Sequence, residues 1–329
     1  MAGVSTASVS RTLSNPDLVA EKTRNAVLEA VKATGYRVNR AARSLRTQRS
    51  NTILALLPDL GNPFFSQILQ GIVSVLTPAG YSLLVAETKQ IVATGDTVPS
   101  YFDDGRADGM IVMDGSLGAE TIEALHATPQ DHAVVFACEW VNGAAFPSVR
   151  SGNRRGAEAA VQHLYDLGHR HIAHVAGPEG NVLTEARRDA FVEATNRLGC
   201  APRLEWVMAG AFNLNAGREA ARDLLALAHR PTAVFCASDE IAYGLISELR
   251  RNKVDVPGEI SVVGFDDIEL SEHYVPALTT MRQDRLLLGR RAAEMLMERM
   301  RSKQAGDMRE ILVTPIELVA RDSTGPVAT

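Results

Sequence analysis

The chain has 329 residues, of which 46% are hydrophobic and 22% charged, a composition typical of globular proteins and not of disordered ones. It lacks an apolar run long enough to span a membrane, and its N-terminus lacks the pattern of a signal peptide, so we expect a cytoplasmic protein with no membrane partner. The net charge of −5 is unevenly distributed. Residues 1–50 hold nine basic and three acidic residues, whereas the rest of the chain holds 25 basic and 36 acidic ones. A basic head on an acidic body predicts a polyanionic partner for the head alone.

Cysteine and histidine, the residue types that most often bind transition metals, form no recognisable metal motif. Three cysteines lie in or beside apolar runs, with neither disulfide nor zinc spacing: Cys138, Cys200 and Cys236. We therefore expect buried free thiols. Histidines occur at positions 169, 171 and 174, but on a strand the first two face away from the third, and no carboxylate stands at a useful spacing. No metal ion and no cofactor are expected.

The first 35 residues predict short helices. Residues 4–13 read VSTASVSRTL, in which Ser5 can cap a helix that ends near Leu13. The Asn-Pro pair at Asn15 marks a turn. Apolar residues then recur at helical spacing until Gly35, which predicts a second helix ended by that glycine.

A strongly basic segment follows the head. Within residues 39–49, NRAARSLRTQR, arginine occupies every third position: Arg40, Arg43, Arg46 and Arg49. On a helix these cations share a face, but so short and repulsive a segment should stay a coil until a polyanion such as DNA neutralises it. The alternative is a solvated linker between domains.

From residue 52 onward, short apolar runs alternate with amphipathic stretches. Strands are predicted at 52–58, 81–86, 109–113, 133–137, 171–176, 233–237, 261–265 and 311–315, and helices at 64–76, 119–127, 154–167, 184–198, 215–228, 239–251 and 284–302. This order predicts parallel sheets with helices on both faces, arranged as two doubly wound halves. Four loops at the carboxyl ends of strands carry an aspartate: Asp59, Asp114, Asp239 and Asp266. Open α/β sheets bind ligands at these ends.

Several motifs together resemble the lactose-repressor family of bacterial transcription regulators. They are AGVSTASVSR, NRAARSLRTQRS, LGHRHIAHVAGP, ASDEIAYG and VPGEISVVGFDD, in that order along the chain. The resemblance implies an all-α helix-turn-helix head and an α/β core of two subdomains shaped like a periplasmic sugar-binding protein. Three crossing strands would join the subdomains. Family heads start about ten residues before AGVS, so we expect the first helix of the motif to be missing here.

The resemblance also implies domain boundaries. The partial head would span residues 1–38 and a hinge helix or linker 39–50. The N-terminal subdomain of the core would comprise 51–150 with 284–308, and the C-terminal subdomain 151–283 with 309–323. Residues 324–329 would form a frayed tail.

In such heads the second helix of the motif enters the major groove. The positions that read bases in the family correspond to Thr6, Ala7 and Arg11, and the phosphate-binding positions to Ser5, Ser10 and Asn15. The hinge positions that would contact DNA are Asn39, Ala42, Leu45 and Arg46. Leucine at position 45 would wedge between base steps in the minor groove, and the alternative is an apolar contact in a dimer.

The same resemblance assigns an effector site in the cleft between the subdomains. Its residues would be Phe64, Phe65, Glu139, Arg187, Phe212, Asp239, Asp266 and Gln283. One of the two adjacent phenylalanines is expected to be core packing instead, and Arg188, beside Arg187, a surface charge.

Departures from the family pattern bear on the effector. Asn181 and Leu183 stand where purine-responsive relatives carry polar contacts, which argues against a purine base, and Gly152 replaces a cleft carboxylate. FACEWV, with Glu139 and Trp140, resembles the segment of cytidine-responsive members. A sugar and a nucleoside both remain open.

The resemblance therefore predicts a homodimer that binds a palindromic operator and responds to a small effector. Two rival functions share the core. A periplasmic solute-binding protein would need a signal peptide and no basic head, and a sugar-active enzyme could use the same carboxylates for acid–base chemistry. The sequence has no G-x-S-x-G, P-loop or G-x-G-x-x-G motif, so no catalytic residues are assigned.

Overall fold

The computed structural model describes residues 2–36, 49–200, 203–302 and 309–327. The chain divides into two compact units, residues 1–50 and residues 51–329, here called the head and the core.

The described part of the head is helical. Helix α1 (Thr6–Ser14) is followed by a 3₁₀ turn (Pro16–Leu18) and helix α2 (Glu21–Thr34). Ser5 caps α1 by accepting a hydrogen bond from the Ser8 amide at 3.2 Å, and Gly35 ends α2 at a φ of 62°, as predicted. The two α-helices contact one another, which makes the small unit compact.

The core alternates strands and helices. In chain order it contains β1 (Thr52–Leu57), α3 (Phe64–Leu76), β2 (Ser82–Glu87), α4 (Thr88–Ala93), α5 (Ser100–Asp103), β3 (Gly109–Val112), α6 (Ala119–Ala127), β4 (Val134–Ala137), β5 (Ser148–Ser151), α7 (Asn153–Asp166), β6 (Ile172–Val175), α8 (Val182–Arg197), β7 (Val207–Met208), α9 (Leu214–Ala226), β8 (Ala233–Cys236), α10 (Asp239–Arg251), β9 (Ser261–Asp266), α11 (Leu270–His273), β10 (Thr279–Gln283), α12 (Arg285–Ser302), β11 (Ile311–Thr314) and β12 (Ile316–Val319).

The strands form two sheets, each the centre of one lobe. The first lobe has the strand order β11-β5-β4-β3-β1-β2, and all of its neighbouring strands are parallel. The second lobe has the order β12-β10-β9-β8-β6-β7, in which only the pairing of β10 with β12 is antiparallel. The predicted pair of doubly wound parallel sheets is therefore confirmed.

The chain crosses between the lobes three times, each time through one residue. Gly152 links β5 of the first lobe to α7 of the second, Asp284 links β10 to α12, and Pro315 links β11 to β12. The expected assignment of 309–323 to the second lobe is wrong for its first part. Strand β11 pairs with β5 in the first sheet, so the third crossing falls at Pro315.

Alternate residues of the central strands pack on opposite faces of the sheet. In β1, Ile53 and Leu57 pack with apolar residues of α3 and α12, whereas Leu54 and Leu56 pack with residues of α4, α5 and α6. All four side chains are fully buried. This burial on both faces explains why β1 reads as a continuous apolar run in the sequence.

A pair of helices packs at backbone contact in each lobe because glycine lies where the helices cross. A Cβ atom at Gly71 or Gly289 would overlap the backbone of the partner helix in the α3–α12 pair. The α9–α10 pair has the same arrangement at Gly217 and Gly244. Helix axes approach this closely only where no side chain intervenes.

The C-terminal segment is docked on the second lobe. Ser323 is fully buried and donates to the Val262 carbonyl, the Gly325 carbonyl lies 3.1 Å from His169 Nε2, and the Val327 amide donates to the Leu167 carbonyl at 3.0 Å. The expectation of a frayed tail from residue 324 is therefore wrong for the part of it that the structure describes. Its small and polar residues look unstructured in the sequence but bond to the segment between α7 and β6 and to the start of β9.

His174 should make the core less stable in mild acid. Its ring stacks between Phe191 and Phe235, with centroids 5.0 and 4.8 Å away, and Nδ1 bonds to the Phe235 carbonyl. Burial lowers the pKa of His174 to about 4. The unfolded chain takes up this proton near pH 6.5 and the folded chain does not. The free energy of unfolding should therefore fall with pH below this value, by about 3 kcal/mol in total at pH 4.

The test compares urea unfolding of the wild type and the His174→Phe variant from pH 7 to pH 4. Other titrating groups act equally in both proteins, so the difference between their stabilities isolates His174. We expect this difference to shift in favour of the variant as the pH falls. A difference that is the same at every pH would contradict the prediction.

Candidate functional site

The predicted DNA contacts of the head lie along and beside α1. Thr6, Ala7 and Arg11 are exposed, as their expected role in reading bases requires, and so is Asn15, just beyond the C-terminal end of the helix. The exposed hydroxyl of Ser5 serves as the helix cap. Ser10 is half-buried. The hinge positions Asn39, Ala42, Leu45 and Arg46 lie outside the described residues.

A cavity of about 410 Å³ lies between the two lobes, at the carboxyl ends of the parallel strands. Six of the eight predicted effector residues line it: Phe64, Phe65, Glu139, Arg187, Phe212 and Asp266. The first three come from the first lobe and the other three from the second. The cavity has the size and the mixture of apolar and polar walls that small-molecule sites have.

Arg187 and Asp266 form the charged floor of the cavity. Helix α8 presents Arg187, whose Nε donates to Asn153 Oδ1 at 2.9 Å, whose Nη1 donates to the Ala237 carbonyl, and whose guanidinium lies 3.7 Å from the centroid of the Phe265 ring. Its Nη1 is 4.0 Å from Asp266 Oδ1. Burial raises the pKa of Asp266, and the nearby arginine opposes this shift. The pair can hold a ligand hydroxyl between a donor and an acceptor.

Asp239 and Gln283 do not reach the cavity wall, so their assignment as direct effector contacts is not supported by the geometry. Asp239 is fully buried, and its carboxylate accepts from the Ile268 amide and from the hydroxyls of Ser271 and Thr280. Gln283 lies behind Asp266 and donates to its Oδ1 at 2.6 Å. Both residues therefore lie behind the cavity wall, where their hydrogen bonds hold neighbouring residues of the site in place.

Gly152 is likewise absent from the cavity wall. It lies at the first crossing between the lobes, where the nearest atoms to an added Cβ belong to Ile316 at 3.5 Å and Thr314 at 3.7 Å. The carboxylate that family members carry at this position would therefore lie at the crossing between the lobes and not in the cavity wall.

A hydrogen bond connects the lobes at the cavity wall. Glu139, which follows β4, accepts from the Gly115 amide at 2.7 Å and from Asn181 Nδ2 at 2.9 Å. Asn181 belongs to the second lobe, where its Oδ1 caps α8 by accepting from the amides of Leu183 and Thr184. Burial raises the pKa of Glu139, while these two donors lower it.

Aromatic rings provide the apolar part of the cavity. Phe64 and Phe65 lie edge to face, with centroids 5.2 Å apart, and both line the cavity although each is almost fully buried. The Phe212 ring faces Arg187 from 5.8 Å. Rings in this position can stack against the apolar face of a sugar or a base.

Several cavity residues were not assigned as effector contacts from the sequence. Asp59 and Asp114 were identified only as loop carboxylates, although both line the cavity. Cys138 also lines it, and all three cysteines are buried free thiols as predicted. Residues at the starts of helices contribute as well: Asn62, two residues before α3, and the N-cap residues Asn181, Asn213 and Ser238. Their position before a helix that follows a strand was the signal that could have found them.

Comparison with known proteins agrees with this architecture. Residues 1–39 match the model for bacterial regulatory proteins of the lacI family, and residues 161–324 match the model for a periplasmic binding protein-like domain. The HTH-type transcriptional repressor CytR of Escherichia coli (strain K12) is 35% identical over 324 residues, which cover 98% of this chain and 94% of CytR.

Two solved structures are similar along nearly the whole chain. The lac repressor dimer bound to operator and the anti-inducer ONPF has a TM-score of 0.85 at 27% identity, covering 98% of this chain and 96% of that one. The complex of the transcriptional regulator CelR with cellobiose has a TM-score of 0.76 at 28% identity, covering 98% and 97%. These relatives are transcription regulators, not enzymes. The chain therefore belongs to the lacI family of bacterial regulatory proteins.

Proposed function

We propose that this chain is an effector-responsive repressor that binds a palindromic operator as a homodimer. The observation that carries the proposal is the combination of a lacI-family head with a ligand-sized cavity between two lobes. The first accounts for sequence-specific DNA binding and the second for its control. Such a protein acts where the chromosome is, in the cytoplasm. Within the described residues, no helix is long and apolar enough to cross a bilayer.

The DNA contacts follow from the exposed face of α1. Arg11 is suited to donate two hydrogen bonds to a guanine, while the methyl groups of Thr6 and Ala7 are suited to contact thymine. Ser5, Ser10 and Asn15 would bond phosphates and so orient the helix in the major groove. The hinge residues Asn39, Ala42, Leu45 and Arg46 would contact the minor groove, with Leu45 as the wedge.

The effector would be a small sugar or a nucleoside held between the lobes. The floor pair Arg187 and Asp266 would bond its hydroxyls, Phe65 and Phe212 would pack on its ring, and Glu139 would accept from its polar groups. One relative supports a sugar: CelR, which matches 98% of this chain, was solved with cellobiose.

Control of DNA binding would follow from movement of the lobes. An effector changes the balance between two lobe arrangements only through its different affinity for each. In a homodimer these arrangements would set the separation of the two hinge segments, and therefore whether both can occupy the minor groove. The coupling must be reciprocal, so operator DNA should change effector affinity by the same factor, typically about 5- to 150-fold.

The test combines operator selection with ligand screening. Binding sites selected from random DNA should be palindromic, and light scattering should show a dimer. Binding should weaken steeply with added salt, because the head displaces counterions from phosphates. A thermal-shift screen of sugars and nucleosides should then find a compound that changes operator affinity. A monomer that selects no sequence would contradict the proposal, and so would turnover of a sugar without DNA binding.

A further inference from the structure

The charge of the cavity wall restricts which ligands it can hold. Five carboxylates line it: Asp59, Asp114, Glu139, Glu179 and Asp266. Lys89 and Arg187 are the cations among the described lining residues. The wall is therefore negative, and a ligand that carries a phosphate would enter against this field.

Neither cation is arranged to hold a phosphate. Arg187 already donates to Asn153 and to the Ala237 carbonyl, lies against the Phe265 ring, and faces Asp266. Two of its five N–H groups are therefore already used, and a phosphate bonded to the others would lie close to the Asp266 carboxylate, which would repel it. Lys89 is exposed and would exchange its hydration for a phosphate with little gain.

The helix starts around the cavity are also partly occupied by side chains of the protein. Amides at the start of a helix commonly bind phosphate. Here side chains of the cavity wall accept hydrogen bonds from amides at the starts of α3, α8, α9 and α10, and these side chains are Asn62, Asn181, Asn213 and Ser238. In the loop after β3, the amides of Gly115 and Ser116 donate to Glu139 and Asp114. At each of these places a side chain of the protein already accepts one or two of the amide hydrogen bonds that an anion would use.

We propose that the cavity takes an unphosphorylated, hydroxyl-rich ligand, a free sugar or nucleoside, and rejects its phosphate esters. The inference rests on the proposed function, because it concerns the same site. It adds that the regulator senses the free compound rather than the phosphorylated product that a kinase makes from it. Carboxylate oxygens accept hydroxyl and amino hydrogens, so the same groups that repel phosphate recognise the free ligand.

The experiment measures binding of matched pairs by calorimetry and thermal shift. The probes are ribose with ribose 5-phosphate, and cytidine with cytidine 5′-monophosphate, and inorganic phosphate serves as a competitor. We expect a free compound to bind about tenfold or more tightly than its ester, a difference of about 1.4 kcal/mol. Inorganic phosphate should not displace it. An ester that binds as tightly as its free partner, or displacement by phosphate, would overturn the inference.

Charge-removing variants test the cause of the preference. Asp59→Asn with Glu179→Gln removes two exposed charges from the wall and keeps the hydrogen bond that Asp59 Oδ1 accepts from the Gly61 amide. The preference for the free compound should fall about threefold at low salt. The matched control is Glu219→Gln, an exposed acid on α9 outside the cavity, which should leave the preference unchanged. An equal effect of both changes would overturn the electrostatic explanation.

The outcomes separate this inference from the proposed function. An ester that binds more tightly and alters operator affinity would refute the inference and leave the regulator intact. If neither a free compound nor its ester binds or alters operator affinity, the sugar or nucleoside effector is refuted, and the inference falls with it.

Discussion

Replacing Arg187 with alanine should abolish the response of operator binding to the effector while the head continues to bind DNA. The change removes the cation of the cavity floor and leaves the oxygens of Asn153 and Ala237 without their donor. It also leaves the buried carboxylate of Asp266 without its counter-charge. We expect effector affinity to fall about 100-fold or more, and the core to lose about 3 kcal/mol of stability.

Two further variants distinguish lost binding from lost folding. Arg187→Met keeps an apolar chain against the Phe265 ring and should fold better than the alanine variant, but it should bind the effector no better. Arg188→Ala is the matched control, because Arg188 is half-exposed and bonds its neighbour Asp189. It should change neither property. Calorimetry with the effector and a mobility shift with operator decide the matter, and unchanged effector affinity in the methionine variant would remove Arg187 from the site.

The Gly244→Ala substitution should destabilise the core strongly, although alanine is the better helix former. The added Cβ would overlap the Leu214 carbonyl of α9, and backbone atoms cannot move aside as a flexible side chain can. The two helices would have to separate, which would disrupt packing along their whole contact. We expect a loss of about 3 kcal/mol or more in the free energy of unfolding, and a melting temperature lower by about 6 to 12 °C.

The control for this prediction is Gly118→Ala in the first lobe. No heavy atom lies within 4 Å of a Cβ added there, and the residue has an ordinary φ of −66°. The substitution should change stability by less than about 1 kcal/mol. Thermal unfolding of the two variants side by side is the measurement. Similar melting temperatures for both would show that the α9–α10 contact is not as tight as the structure indicates.

The sequence predicted the central elements of the fold well. Helices α3, α6 and α10 have the bounds expected from their apolar periodicity, and the strands at the centre of each sheet were found as apolar runs. Strands β5, β7, β10 and β12 were missed. Strand β7 is two residues long. The sequences of the other three, SVRS, TTMRQ and IELV, carry charged residues because the strands lie at or next to the edge of a sheet or where the chain passes between lobes. An apolar-run criterion detects strands with mainly apolar residues, including the edge strands β2 and β11, and misses strands whose residues are charged or few.

Residues that line the cavity directly could be predicted from the sequence. Residues whose role is to position another side chain could not. Arg187, Asp266 and the phenylalanines were located by family resemblance, and all of them line the cavity. Asp239 matches the same pattern, but three donors hold it beneath the floor. The double role of Asn181, which caps α8 with its oxygen and reaches Glu139 with its nitrogen, depends on the distance between lobes, and a sequence contains no such distance.

The three crossings between the lobes limit how the core can move. Each is one residue long, which leaves little slack for one lobe to slide along the other, so we expect a change of arrangement to be a rotation about an axis near the crossings. The crossings also differ in stiffness. Proline fixes φ at Pro315, Asp284 is held because its carboxylate accepts from the Leu287 amide, and Gly152 is the least restricted. The axis should therefore pass nearest to Pro315 and Asp284, with the largest dihedral change at Gly152. The dihedral changes at the three crossings would then be unequal, so a small closure of the lobes around a ligand would also twist one lobe relative to the other.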